Sequence, residues 1–189
     1  MLAVQGDVAE HVRMLASIGV AASLVKTPAD LANTDALIAP GGESTTAIRL
    51  LDRIGLSQPI RDRVAGGMPF WGTCMGMILA AHRVADLDQP TLGLLDIDVR
   101  RNAFGRQAAS AEVELAIGVL GPEPFPAVFI RAPWIERAGP GVEVLASHAG
   151  HGVFVRAKHV LGSSFHPELT GDDRLHRYFV SLLEAGAGP

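Results

Sequence analysis

The sequence predicts an α/β fold, a three-layer sandwich with a mostly parallel central sheet flanked by helices. Two observations predict it. Short apolar runs alternate with amphipathic stretches through the first half of the chain, and the run at residues 36–39 is uniformly apolar, as in a strand buried on both faces. Strand-helix repeats of this length specify a parallel sheet with helices on both of its faces.

The first half of the chain predicts four strands and four helices. Asp7 can cap the first helix and Gly19 can end it. The last strand and helix flank Cys74, the only cysteine. In chain order the elements are a strand at 2–5, a helix at 8–18, strands at 21–26 and 36–39, helices at 46–54 and 58–65, a strand at 68–71 and a helix at 75–81.

The second half changes character and predicts short strands joined by tight turns, with antiparallel additions or hairpins. An amphipathic helix at residues 173–184 closes the chain. No repeat, low-complexity segment or linker interrupts it, so a single domain over residues 1–189 is predicted. The predicted strands lie at residues 94–99, 111–117, 127–130, 142–147, 152–157 and 160–164.

Composition narrows the class of protein. Of 189 residues, 48% are apolar and 19% are charged, which indicates a globular chain with a substantial core. The net charge of −4 gives no reason to expect nucleic acid or a membrane as a partner. One cysteine excludes an internal disulfide, and neither a signal peptide nor a membrane-spanning run is visible, so a cytoplasmic protein is expected.

Cys74 lies between Gly72 and Gly76 at Gly-x-Cys-x-Gly spacing. A strand, a sharp turn and a helix would place the thiol at the tip of the turn, where glycines allow a strained backbone and close approach of a substrate. The alternative is that Cys74 is a small buried apolar residue, as most free cysteines are.

His166 and Glu168 flank Pro167 directly after the last predicted strand. A rigid turn would let the carboxylate orient the imidazole, as a cysteine nucleophile requires of its base. By itself this tripeptide is also consistent with an ordinary turn at a strand end. Four other histidines have no partner nearby in sequence, and surface or structural roles are predicted for them: His11, His82, His159 and His176.

His148 and His151 are three residues apart in a glycine-containing turn. Two histidines at this spacing can bind a metal, but no acidic or thiol companion accompanies them. The sequence therefore predicts no metal site and no cofactor.

Together, Gly-Thr-Cys-Met-Gly at 72–76 and His-Pro-Glu at 166–168 resemble the triad class (class I) of glutamine amidotransferases. Further segments resemble one family in that class, the glutaminase subunits of pyridoxal 5′-phosphate synthase (the PdxT/SNO family). They are Pro-Gly-Gly-Glu-Ser-Thr-Thr at 40–46, Arg-Asn-Ala-Phe-Gly-Arg-Gln at 101–107, Phe-Ile-Arg-Ala-Pro at 129–133, residues 164–170, and shorter pieces at 5–7 and 92–95. The resemblance covers essentially the whole chain and implies the flavodoxin-like fold of that class.

The resemblance implies a catalytic triad and a set of glutamine contacts. Cys74 would be the nucleophile, His166 the general base and acid, and Glu168 the residue that orients His166. The amides of Gly42 and Met75 would form the oxyanion hole. The glutamine contacts would be Gly42, Glu43, Ser44, Arg101, Ile130 and Arg131; without the resemblance, Arg101 and Arg131 would be read as solvated surface charges.

Two features depart from the family pattern. Met75 stands where family members commonly have alanine, which leaves the backbone N–H in place but puts the shape of the pocket in doubt. The family's first strand usually begins several residues before the equivalent of Leu2. A short first strand, or a native start upstream of Met1, is therefore expected.

The implied reaction is hydrolysis of L-glutamine to glutamate and ammonia, with the ammonia passed to a separate barrel-shaped synthase subunit that makes pyridoxal 5′-phosphate. Three alternatives stay open: a glutaminase serving another acceptor, such as the imidazole glycerol phosphate pathway; a silent regulatory protein on the same fold; and a cysteine peptidase or stress protein. The last usually has histidine directly after the elbow, where this chain has Met75.

Overall fold

A computed structural model describes residues 1–103 and 110–186 of the chain, with side chains described up to residue 183. Within these ranges, α-helices and strands alternate through the first half and strands dominate the second. The helices are α1 (Val8–Ser17), α2 (Pro28–Ala32), α3 (Ser44–Arg53), α4 (Ser57–Ala65), α5 (Met75–Ala80) and α6 (Arg174–Gly186). The strands are β1 (Leu37–Ala39), β2 (Phe70–Thr73), β3 (Ala81–Val84), β4 (Leu95–Arg100), β5 (Ser110–Leu115), β6 (Phe125–Ile130), β7 (Trp134–Ala138), β8 (Glu143–His148), β9 (His151–Ala157) and β10 (Val160–Ser163).

In the described part of the chain, eight strands form one sheet. Its path is β1-β2-β10-β9-β7-β4-β3, and β8 pairs with the outer side of β9. The β1, β2 and β10 strands are parallel, and the antiparallel strands of the second half extend the sheet from β10. The remaining strands, β5 and β6, form a separate antiparallel hairpin. The α/β prediction, with a central sheet between helices, is confirmed.

Two apolar cores lie on opposite faces of the sheet, because successive residues of a strand point to opposite sides. In β2, Phe70 packs into the core that holds residues of α3, α4 and α5, and Trp71 packs into the core that holds residues of α1 and α6. In β10, Val160 and Leu161 divide between the cores in the same way. This gives the three layers that the sequence predicts.

The N-terminal segment differs from its prediction. Residues 2–5 and 21–26 do not form full strands, and a single parallel bridge joins Leu2 to Val25. The Leu2 N–H donates to the Ile38 carbonyl at 2.8 Å, and the Ala3 N–H donates to the Val25 carbonyl at 2.9 Å. Leu2 thus lies beside β1, at the end of the sheet path, but the pairing is too short to form a strand.

Three elements were not predicted: α2, β3 and β7. The α2 helix begins with a capping box in which Thr27 and Asp30 satisfy each other's backbone N–H groups, a signal that the sequence carries. β3 follows α5 without a loop, and its first residue, Ala81, is the last residue of the apolar run that predicted the helix. No helix in the described residues is long and apolar enough to cross a membrane.

Candidate active site

Cys74 lies at the tip of a tight turn between β2 and α5. Its φ of 48° and ψ of −104° place a non-glycine residue in a backbone region that side chains rarely occupy. The Cys74 N–H donates to the Ser163 carbonyl of β10 at 2.7 Å, which ties the turn to the neighbouring parallel strand. This is the geometry of a nucleophile elbow, in which a strained strand-to-helix turn presents the reactive atom.

The glycines on either side of Cys74 are required by close packing. A Cβ atom on Gly72 would lie 2.3 Å from the Gly76 carbonyl carbon, and one on Gly76 would lie 2.0 Å from the Ala39 oxygen of β1. Both distances are far below a normal contact. The Gly-x-Cys-x-Gly spacing therefore follows from how closely the turn packs against itself and against β1.

His166 and Glu168 form a buried pair. The residues are 4% and 6% exposed, and the His166 Nδ1 atom lies 2.8 Å from Glu168 Oε1. Pro167 begins the short 3₁₀ turn Pro167–Leu169 that holds the two side chains on one side. The His166 N–H donates to the Val128 carbonyl of β6 at 2.8 Å, so the turn is anchored to the β5–β6 hairpin.

The electrostatic environment favours a protonated His166. Burial opposes its charge, but the side-chain interactions with Cys74 and Glu168 outweigh burial and raise the pKa of His166 to about 10. Burial raises the pKa of Glu168, and the hydrogen bond to His166 opposes that effect. The imidazole is thus placed between a thiol and a carboxylate, where it can hold a proton taken from sulfur.

The loop at residues 40–46 is ordered by its own acidic residue. The Glu43 carboxylate accepts the Thr45 and Thr46 N–H groups at 3.0 and 2.7 Å and so begins α3 at Ser44, earlier than predicted. Partial burial opposes the charge, but these hydrogen bonds lower the pKa of Glu43 to about 2. The loop therefore presents a fixed negative charge at the edge of the site.

Arg101 and Arg131 approach the same region from the second half of the chain. Asp86 holds Arg101 by accepting its backbone N–H at 3.1 Å, and its other oxygen lies 3.6 Å from the Arg101 Nε atom. Arg131 directly follows β6 and has a φ of 45°. The Ile130 carbonyl lies 3.9 Å from the Cys74 sulfur. Of the motif at 101–107, residues 104–107 lie outside the described residues.

A cavity of about 330 Å³ joins these groups. It brings together every predicted site residue except Glu168, which lies behind His166. The roles of these residues in catalysis and substrate binding stay predictions. The lining residues are Asp7, Gly42, Glu43, Ser44, Cys74, Met75, Ile78, Arg101, Asn102, Ile130, Arg131, His166 and Leu169.

Asp7 is a further residue of this site, which its predicted role as a helix cap does not indicate. Asp7 precedes α1, but its side chain makes no capping hydrogen bond; its Oδ2 atom lies 3.6 Å from His166 Nδ1 instead. Asp7, His166 and Glu168 offer three possible ligand atoms within 4.8 Å of one another, the one such group in the described residues. Because His166 Nδ1 is already bonded to Glu168, a metal there would compete with that bond.

Two of the histidines for which surface or structural roles are predicted lie in the interior. His11 and His176 are fully buried and lie next to the Glu168 side of the site. A signal for His11 was present, because it occupies the same face of α1 as Val8 and Leu15, which pack into the core.

The chain is similar to proteins of one family over nearly its whole length. Residues 1–185 match the model of the SNO glutamine amidotransferase family. A pyridoxal 5′-phosphate synthase subunit PdxT from Streptomyces avermitilis is 49% identical over 191 aligned residues, covering 100% of this chain and 95% of the relative. The protein of the same name from a Parafrankia species is 54% identical, covering 100% of this chain and 94% of the relative. A crystal structure described as glutamine amidotransferase superposes with a TM-score of 0.91 at 47% identity, covering 97% of each chain.

Proposed function

The chain belongs to the SNO glutamine amidotransferase family, and from that premise we propose that Cys74, His166 and Glu168 form the triad with which it hydrolyses glutamine. The family and its PdxT relatives support hydrolysis of L-glutamine to glutamate and ammonia, with the ammonia used to make pyridoxal 5′-phosphate. The match over nearly the full length also supports a single glutamine amidotransferase domain.

The triad assignment rests on two independent features that meet at the cavity, a strained cysteine and a buried His-Glu pair whose His166 lines it. A cysteine with positive φ lies at a strand-to-helix turn, and a buried His-Glu pair with a 2.8 Å hydrogen bond lies at the end of the adjacent strand. A structural cysteine would need neither the strained backbone nor the charged pair. Nucleophile, base and orienting group are the parts that covalent hydrolysis requires.

In the proposed mechanism, the Cys74 sulfur attacks the side-chain amide carbon of glutamine as its proton passes to His166. The carbonyl oxygen becomes an oxyanion, which the backbone N–H groups of Gly42 and Met75 stabilise. His166 then gives its proton to the departing nitrogen, which leaves as ammonia, and a glutamyl thioester remains on Cys74. Water, deprotonated by His166, attacks the thioester and releases glutamate and the thiol.

The charged groups around the cavity suit the two ends of free glutamine. Arg101 and Arg131 line the cavity and can bind the α-carboxylate, for which the planar guanidinium is well shaped. Glu43 also lines the cavity and, with its lowered pKa, remains charged to bind the α-ammonium group. Ser44 and the Ile130 backbone complete the predicted glutamine contacts.

The partner is a synthase subunit, which for this family we take to be the separate barrel-shaped subunit that consumes the ammonia. Only unprotonated ammonia reacts as a nucleophile, so direct transfer avoids its protonation in bulk water. The free chain is expected to be slow, with glutamine hydrolysis rising when the synthase subunit binds.

The deciding experiment measures glutamate release from L-glutamine by the full chain, alone and with the synthase subunit. We expect activity to rise with the partner and to be lost in Cys74→Ala and His166→Ala. His82→Ala is the matched control for the histidine change, because His82 is exposed on β3 outside the cavity lining. Undiminished glutamate release by Cys74→Ala would refute the triad.

A second measurement tests the acceptor. The chain is mixed in turn with the pyridoxal 5′-phosphate synthase subunit and with the synthase subunit of the imidazole glycerol phosphate pathway, each with its own substrates and glutamine. We expect glutamine-dependent product only with the first. Product formed only with the second would keep the glutaminase assignment and overturn the choice of partner.

A further inference from the structure

Two fully buried histidines lie next to Glu168, outside the lining of the cavity. His11 comes from α1 and His176 from α6, and both are 0% exposed. Neither lines the cavity, and the proposed hydrolysis uses neither. Two imidazoles buried next to a catalytic carboxylate need a physical reason, because burying polar rings has a cost unless they are hydrogen-bonded.

His11 contacts both Glu168 and Thr73, the residue that precedes Cys74. Its Nε2 atom lies 3.2 Å from Glu168 Oε2, the oxygen that does not bind His166. The same Nε2 forms a hydrogen bond with the hydroxyl of Thr73 at 3.1 Å, whereas its contact with Glu168 Oε2 is close but not aligned as a hydrogen bond. At the other side of the ring, His11 Nδ1 lies 3.0 Å from His176 Nε2.

The partners of the two rings determine where their protons lie. Burial is the main cause that lowers the pKa of His11 well below its ordinary value and that of His176 to about 4, so each ring is neutral at pH 7 and carries one proton. His176 Nδ1 is buried with no hydrogen-bond partner among residues 1–103 and 110–186. A proton there would be an unpaired buried donor, so His176 carries its proton on Nε2 and donates it to His11 Nδ1.

It follows that His11 carries its own proton on Nε2, facing Thr73 and Glu168. The opposite tautomer would place a bare nitrogen lone pair 3.2 Å from a carboxylate oxygen, which is repulsive. Glu168 Oε2 is buried and accepts no hydrogen bond within the described residues, so the His11 N–H at 3.2 Å acts on it as a nearby positive dipole. The charged and titratable groups that face Glu168 are His166 from its own turn, His11 from α1 and Asp7 from the loop before α1.

We propose that His11 is a positioning residue: anchored to Thr73, its Nε2–H faces the outer oxygen of Glu168 and attracts it, which fixes the carboxylate against His166. The inference rests on the proposed triad. It predicts that losing the His11 donor leaves glutamine binding intact and weakens the His166 proton transfer, because Glu168 can then rotate within its buried site. His176 sets the tautomer that makes this donor available.

The test compares three substitutions of His11 in the full chain with its synthase subunit. His11→Gln keeps an N–H near the Nε2 position, His11→Asn places its amide near the Nδ1 position instead, and His11→Leu removes both. We expect kcat to fall about 10- to 100-fold in the Leu and Asn variants, with KM for glutamine within about twofold, and His11→Gln to recover most of the loss. His159→Leu is the control, since its ring bonds the Val64 carbonyl outside the cavity lining.

A second readout needs neither glutamine nor the synthase. Because Cys74 is the only cysteine, its alkylation by iodoacetamide can be followed across pH in the free chain. Loosening Glu168 destabilises the imidazolium that accompanies the Cys74 anion, so the midpoint of alkylation should move to higher pH in His11→Leu and His11→Asn. The midpoint in His11→Gln and His159→Leu should stay at the wild-type value.

The outcomes separate this inference from the proposed function. Equal losses of kcat in the Gln, Asn and Leu variants would mean that the ring acts only by packing. Wild-type kcat and alkylation midpoint in folded Leu and Asn variants would mean that the ring has no role in catalysis. Either outcome overturns the inference. If His11→Leu fails to fold, the Gln and Asn variants decide alone. If wild-type chain releases no glutamate with its synthase while the alkylation midpoint moves as described, the proposed function fails and the positioning role stands.

Discussion

The Nδ1 atom of His166 lies 2.8 Å from Oε1 of Glu168, and only Pro167 separates the two residues in sequence. The 3₁₀ turn that begins at Pro167 makes this contact possible, and its burial strengthens the hydrogen bond. With Nδ1 engaged, the other ring nitrogen is the one free to exchange a proton with Cys74. The charge of Glu168 is therefore the first feature to test.

Replacing Glu168 by glutamine should lower kcat by about 10²- to 10⁴-fold with little change in KM. The amide fills the same space but cannot balance an imidazolium, and it can stabilise the wrong tautomer of His166. Glutamate release at saturating synthase measures the effect. Glu123→Gln, an exposed change outside the cavity lining, should retain wild-type kcat. A loss below tenfold in folded Glu168→Gln would exclude the orienting role.

Because the pKa of His166 is raised, its contribution to the free energy of unfolding should depend on pH. Its pKa rises from an ordinary value of 6.5 to about 10 on folding, so its contribution is fully present below pH 6.5 and is lost as the pH rises through 10. The difference in unfolding free energy between wild type and His166→Gln should therefore shrink between these limits, by at most about 1.4 kcal/mol per pH unit. Urea denaturation at several pH values measures it. A difference that stays constant or grows across this range would contradict the prediction.

Much of the site could be predicted because its residues lie at ends of predicted strands. Cys74 has glycines within two positions, and His166 and Glu168 share one turn, so each local pattern marks a candidate and the two patterns together indicate a triad. The carboxyl ends of parallel strands meet at one edge of a sheet, which brings β2 and β10 together. The segment at 40–46 follows β1 at the same edge for the same reason.

Contacts between distant elements could not be predicted in this way. His11 meets Glu168 only because α1 packs behind the His-Glu turn, and nothing near either residue in sequence specifies that packing. The prediction of strands at residues 2–5 and 21–26 was wrong for a different reason. Their apolar composition fits strands, but the chain leaves the sheet after one bridge, at Leu2 and Val25.

Replacing Gly41 by alanine should reduce kcat by roughly 100-fold, because small displacements of a catalytic group are costly. A Cβ atom at this position would lie 2.4 Å from His166 Cε1 and 2.7 Å from Asp7 Oδ2, so the imidazole must move. Steady-state kinetics with the synthase present measures the loss. Gly118→Ala is the matched control, since nothing lies within 4 Å of a Cβ there. Equal kcat values in the two variants would show that His166 tolerates the displacement.

Replacing Met75 by alanine, the residue common in the family, should separate stability from catalysis. Met75 is 1% exposed and packs into the core shared with α3 and α4, so its truncation should reduce the unfolding free energy by about 2–5 kcal/mol. The proposed oxyanion donor is its backbone N–H, which alanine retains, so kcat should stay within about threefold of wild type. Met68→Ala, in the same core but outside the cavity lining, should cost similar stability. A kcat that collapses in Met75→Ala but not in Met68→Ala would mean that the methionine side chain itself shapes the glutamine pocket.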